Sequence, residues 1–194
     1  MDNVKEQERA QLHSTIWKIA EDLRGSIDGW DFKSYVLGML FYRYISENIT
    51  NYINQGEWDA GDTDFDYASI LDEDAEEIRD DMVTTKGFFI LPSQLFSNMQ
   101  KNAQNNGNLN VDLKNIFDAI EGSSKGTEAE KDFAGLFDDL DVTSNKLGST
   151  VIEKNKKLVE LLNNIASLQL GNYQDNTIDA FGDAYEYLMG MYAS

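Results

Sequence analysis

The 194-residue chain has no cysteine, one proline and one histidine, and its 16 basic side chains face 35 acidic ones. Without cysteine, no disulfide forms and no thiolate holds zinc, which fits the cytoplasm as the expected location. The net charge of −19 argues against autonomous DNA binding, because free-standing DNA binders carry a basic footprint. A serine–histidine catalytic pair would have to use His13. That residue lies on an amphipathic stretch with no acid at ligand spacing and reads as a surface or boundary residue. Long hydrophobic runs are also lacking. The most apolar stretch, YVLGMLFYRYI at 35–45, is broken by Gly38 and Arg43, well short of the roughly 18 apolar residues of a membrane span. The residues after Met1, DNVKEQERAQ, are too polar for a signal peptide.

What is present is helical periodicity. Leu12, Ile16, Ile19, Ala20 and Leu23 form a first apolar stripe, with Gly25 placed to end that helix. A second helix is predicted over about 31–54, capped by Asp28 or Asp31 and apolar on most sides, hence central and buried. Gly38 inside it implies close approach of a neighbouring helix. Residues 55–71 read as a loop. DEDAEEIRDDM at 72–82 opens a helix with carboxylates in its first turn, where the helix dipole favours them. KGFFILPSQLF at 86–96 carries an apolar run near 87–91 short enough to be a strand or an extended segment entering the next helix, and Ser93 is placed to cap that helix. Asn110 is predicted to cap a short helix through Ile120. Thr127 with Glu130, and Thr150 with Glu153, fit the capping-box pattern. The second box opens a helix with Val151, Leu158, Leu161, Leu162, Ile165 and Leu168 on one side, ended by Gly171. The predicted fold class is all-α, a multi-helix domain over 1–172.

The acidity is uneven. Residues 57–81 hold 12 acids against Arg79 alone, and residues 112–141 hold nine against three lysines, while the first 43 residues are near balance. Within the first block, Asp62, Asp64, Asp66 and Glu73 occupy positions 1, 3, 5 and 12 of a calcium-loop pattern. Position 6, which needs glycine, is Tyr67, so a solvated acidic loop is the expected reading. GSSKGT at 122–127 lacks the order of a phosphate loop. The only basic cluster is Lys154, Lys156 and Lys157 in KNKK. Such a run is usually the solvated face of a helix, and here it is also the candidate phosphate contact. Arg43 is expected to reach the surface along its stem or to pair with an acid.

The last segment carries a further stripe: Ile178, Phe181, Tyr185, Leu188 and Tyr192. It is still running near Ser194, with no capping signal, so these five residues are expected to pack on something beyond the helical domain.

Four stretches together resemble the N-terminal region of the modification (M) subunit of type I restriction–modification enzymes. They are IWKIAEDLRGSIDGWDFKSYVLGMLFYRYISENI at 16–49, DEDAEEIRDDMVTTKGFFILPSQLF at 72–96, FAGLFDDLDVTSNKLGSTVIEKNKKLVELLNNI at 133–165 and FGDAYEYLMGMYAS at 181–194. The resemblance implies a helical domain that precedes an adenine-N6 methyltransferase domain using S-adenosylmethionine. The implied partners are a specificity subunit, a second M subunit and a restriction subunit, with DNA met through the assembly. It also implies that 173–194 begins the methyltransferase domain and that the stripe ending at Tyr192 packs on it. The family's Gly-rich cofactor motif and Asn-Pro-Pro-aromatic motif are absent here, Pro92 being the only proline. No catalytic, cofactor or metal residue is therefore assigned, and this chain alone is expected to be inactive. The rival readings are a stand-alone acidic interaction protein, such as a DNA mimic or adaptor, and a metal-dependent module built on Asp62–Glu73.

Overall fold

The protein is described here from a computed structural model covering residues 35–167 except 135, 136 and 139, with isolated positions 6, 7, 10 and 14. Expectations for the first stripe, His13, Leu168, Gly171, and the stripe Ile178, Phe181, Tyr185, Leu188 and Tyr192 lie outside the described residues. Every regular element among the described residues is helical. They are α1 (Leu37–Asp59), α2 (Asp72–Ala75), α3 (Arg79–Lys86), α4 (Phe96–Asn102), α5 (Leu109–Ser123), α6 (Glu130–Phe133) and α7 (Val151–Ser167), with a short 3-10 turn in each connection up to α5.

Helix α1 is the axis of the core. Leu37 through Tyr42 are all buried, followed by Tyr44, Ile45, Ile49 and Ile53. Helices α4 and α7 pack on it, and α7 also meets α4 and α5. Aromatic rings fill the spaces between them. Tyr42 meets the edges of Phe96 and Phe117 at 5.6 and 5.2 Å, and Phe117 stacks on Phe137 at 4.6 Å. Gly38 is closely approached, as predicted, but by Leu140 in a loop rather than by a helix. A Cβ on Gly38 would lie 3.1–3.2 Å from two Leu140 carbons.

The extended segment is present and forms no ladder. Phe88, Phe89 and Ile90 are buried, so their backbone polar groups need partners. Side chains supply them. Ser123 Oγ accepts from Phe89 N at 2.9 Å, Tyr67 OH donates to Ile90 O at 2.6 Å, and Gln94 Oε1 accepts from Leu91 N at 3.2 Å. With these bonds made, the segment passes through the core without a neighbouring strand.

Several predicted boundaries are corrected. Helix α1 runs to Asp59, so residues 55–59 are helix rather than loop. Its last turn is closed by Gln55 bonding Asp59 and by Trp58 Nε1 donating to Phe65 O, each at 2.8 Å. Ser93 caps no helix. Its N–H and hydroxyl instead donate to the Asp72 carboxylate, which ties α2 to the turn before α4. Asn110 lies inside α5, which extends to Ser123, and its N–H donates to Asn155 Oδ1 on α7 at 3.0 Å. At Thr127 the hydroxyl donates to Gly87 O and Ser124 O, while Glu130 accepts from Gly126 N, so the first capping box is not formed. Arg43 pairs with an acid, as predicted. Its Nε meets Glu47 at 2.8 Å, and its guanidinium also donates to Ile165 O at 2.6 Å, joining α1 to α7.

Candidate functional site

The basic cluster sits at the start of α7, and the helix begins there for a local reason. Thr150 Oγ1 accepts from Glu153 N at 3.2 Å, the forward half of the predicted box. The return half shifts by one residue: the Glu153 carboxylate accepts from Ser149 N at 2.8 Å and from Ser149 Oγ at 3.0 Å. These bonds hold the Glu153 carboxyl below its ordinary range, the Ser149 backbone N–H first among the causes, with Lys157 adding to them. Leu158, Leu161, Leu162 and Ile165 turn inward from α7, as predicted. Val151 does not; it is 52% exposed, and Ile152 is 82% exposed.

The three lysines of the cluster separate. Lys156 and Lys157 are exposed and line a cleft of about 380 Å³ together with Lys146, Leu147, Gly148, Glu153 and Glu160. Lys154 is half-buried and does not line the cleft. The opposite wall, 146–148, lies close because Leu147 is buried and Gly148 has no side chain. A Cβ on Gly148 would stand 2.5 Å from the Glu153 Cβ. Lys146 was not singled out by sequence. It is isolated in the chain, and only the turn ending at Gly148 brings it beside Lys156 and Lys157.

Three ammonium groups against two carboxylates leave this cleft locally positive in a protein of net charge −19. Such a surface can hold phosphate oxygens, and it contains no nucleophile–base pair. Of the calcium-pattern residues, Asp66 holds the local turn, accepting from Ala68 N and Ser69 Oγ, each at 3.1 Å, while Asp62, Asp64 and Glu73 are exposed. Tyr67, at the position that would need glycine, is buried, and its N–H donates to Asn54 Oδ1 at 2.8 Å. Among the described residues, no group of three or more His, Cys, Asp or Glu is arranged to hold a metal ion. None of the described helices is long and apolar enough to cross a membrane.

Comparison with known proteins gives consistent results. The model of the HsdM N-terminal domain family matches residues 12–165. The chain is 46% identical over 200 positions to the type I restriction enzyme MpnII methylase subunit of Mycoplasma pneumoniae, an alignment covering 100% of this chain and 37% of that subunit. A crystal structure of the type I restriction–modification system methyltransferase subunit from Streptococcus thermophilus is similar with a TM-score of 0.67 and 27% identity. That match covers 95% of this chain and 39% of the other. The chain thus spans a little over a third of the length of these relatives. A helical core built on α1, matched along nearly its whole length by these methylase subunits, places the chain in the HsdM N-terminal domain family.

Proposed function

We propose that this domain serves assembly and DNA clamping in a type I modification subunit that transfers a methyl group from S-adenosylmethionine to adenine N6 in DNA. The identity of 46% along the whole chain to a methylase subunit is the observation that carries this reading. The reaction itself is assigned to the remainder of such a subunit, because the 194 residues carry neither the glycine-rich nor the Asn-Pro-Pro-aromatic motif. The implied partners are a specificity subunit, a second M subunit and a restriction subunit, in the cytoplasm. Residues 1–172 form the helical domain in this reading, and 173–194 begin the methyltransferase domain. Within the helical domain, Lys146, Lys156 and Lys157 are the proposed phosphate contacts, with Lys154 in a lesser role.

Calorimetry tests the division of labour. The 194-residue chain is expected to show no heat of S-adenosylmethionine binding and no methyl transfer to DNA. Micromolar cofactor binding by this chain would overturn the assignment of the chemistry elsewhere. The clamp is tested separately, by deleting 1–172 from a full-length subunit. Loss of DNA affinity with retained cofactor binding is expected, and unchanged DNA affinity in the assembled complex would refute the clamping role.

A further inference from the structure

By charge alone, Glu153 is out of place in a cleft that meets phosphate, since its carboxylate repels phosphate oxygens. Its bonds give it another task. Both run to one oxygen: Glu153 Oε2 accepts from Ser149 N at 2.8 Å and from Ser149 Oγ at 3.0 Å. Ser149 directly follows the 146–148 wall that carries Lys146.

That wall is a tight turn. Leu147 N donates to Ser144 O and Gly148 N to Asn145 O, each at 3.1 Å, and Lys146 N donates to Ser144 Oγ at 3.2 Å. The turn is pressed onto α7 at Gly148. A Cβ there would stand 2.5 Å from the Glu153 Cβ and 3.2 Å from the Glu153 carbonyl carbon, so backbone as well as side chain would have to move. The close approach and the two hydrogen bonds thus converge on the same residue of the helix.

We propose that Glu153 is a positioning residue, which with Gly148 and Ser149 clasps the turn to α7 so that Lys146 stands across the cleft from Lys156 and Lys157, a role that rests on the phosphate contact proposed for this cleft. The helix by itself brings only Lys156 and Lys157 to the cleft; the third cation comes from the turn. One negative charge facing phosphate is offset by the ammonium group that its bonds hold in place. The ordinary task of a glutamate three residues after a threonine cap is to complete the cap. The two tasks can be separated at Thr150, whose Oγ1 accepts from Glu153 N at 3.2 Å in a bond confined to the start of the helix. They can also be separated at Glu153 itself, because a glutamine carbonyl oxygen can accept both Ser149 bonds without the charge.

The test uses the assembled modification complex with Glu153→Ala, Glu153→Gln, Gly148→Ala or Thr150→Ala in the M subunit, and two readouts. The first, without DNA, is the yield of cross-links from Lys146 to Lys156 or Lys157 with a short amine-reactive reagent, read by mass spectrometry. The cross-link is expected in the unaltered complex, E153Q and T150A, and to fall several-fold in E153A and G148A. The second is DNA affinity against salt. E153Q, which keeps the clasp and loses the charge, is expected to bind more tightly than the unaltered complex. E153A and G148A are expected to bind more weakly, with a slope shallower by about 0.9, the value of one phosphate contact. E153A tightening as much as E153Q, or T150A losing the cross-link as E153A does, would overturn the proposal. The expected cross-links with a DNA affinity indifferent to every variant would keep the clasp and overturn the phosphate reading on which its role rests.

Discussion

The segment 57–81 and the start of α7 carry opposite charge by different means. The first places 12 acids against one arginine over 25 residues, and all of these acids except Asp72 are exposed, around only two buried side chains, Tyr67 and Ala75. The second has few charges but gathers three lysines from two parts of the chain into one cleft. Net charge describes the first region and misses the second. At physiological ionic strength, screening acts over about 8 Å, so a phosphate at the lysine cleft responds to its immediate neighbours more than to a distant acidic lobe. An overall charge of −19 is therefore compatible with a local contact to DNA.

The two regions should also differ in how they fail. The acidic lobe is tied to the core chiefly through Tyr67, whose burial also raises its phenol pKa above the ordinary value. Tyr67→Ala is expected to cost about 3–5 kcal/mol, as for other buried aromatics, measured by urea unfolding. A cost under about 1 kcal/mol would mean that the lobe is held by other contacts. Removing only the hydroxyl, in Tyr67→Phe, leaves Ile90 O without its partner and should cost about 1–3 kcal/mol. On the α7 side, Arg43→Ala removes the bond to Ile165 O that joins α1 to α7, together with the pair to Glu47 within α1. A loss of about 1.5–3 kcal/mol is expected, the range for charge-assisted bonds. Equal stability of that variant would show that the helices are held by apolar packing alone.

Much of this contrast was legible in the sequence, and the exceptions have physical reasons. Periodicity located the buried face of α1, because a helix that is apolar on most sides must lie within the core. Its end was misplaced because Gly56 and the following acids resemble a loop, while the bond from Trp58 to Phe65 O closes the turn through a residue seven positions away. Asn110 resembled a cap but serves a contact to Asn155, 45 residues distant. The Thr150 box was half-readable, since its forward bond is local and its return bond moved to Ser149. The same limit applies to the candidate site. Lys156 and Lys157 are adjacent in sequence, whereas Lys146 joins them only through a tertiary turn.

A smaller effect sharpens the picture at the cleft. The Glu153 carboxyl is lowered by bonds from Ser149. A carboxyl lowered by folding stabilises the native state above its unfolded pKa, and that contribution fades as pH falls through the folded pKa. Glu153→Gln should therefore lower the melting temperature slightly at pH 7 and converge with the unaltered chain well below pH 4. A difference that persists unchanged at low pH would assign the effect to packing rather than charge.

The central claim is that the cleft of Lys146, Lys156 and Lys157 meets phosphate when the domain acts within its complex. The direct test is the salt dependence of DNA affinity for the assembled modification complex, with and without K146A/K156A/K157A in the M subunit. Three phosphate contacts correspond to a change of about 2.7 in the slope of log Kobs against log[salt], counted per M subunit that touches DNA. The account predicts a shallower slope approaching that amount, with little change for K154A. An unchanged slope in the triple variant, with the complex intact, would contradict it.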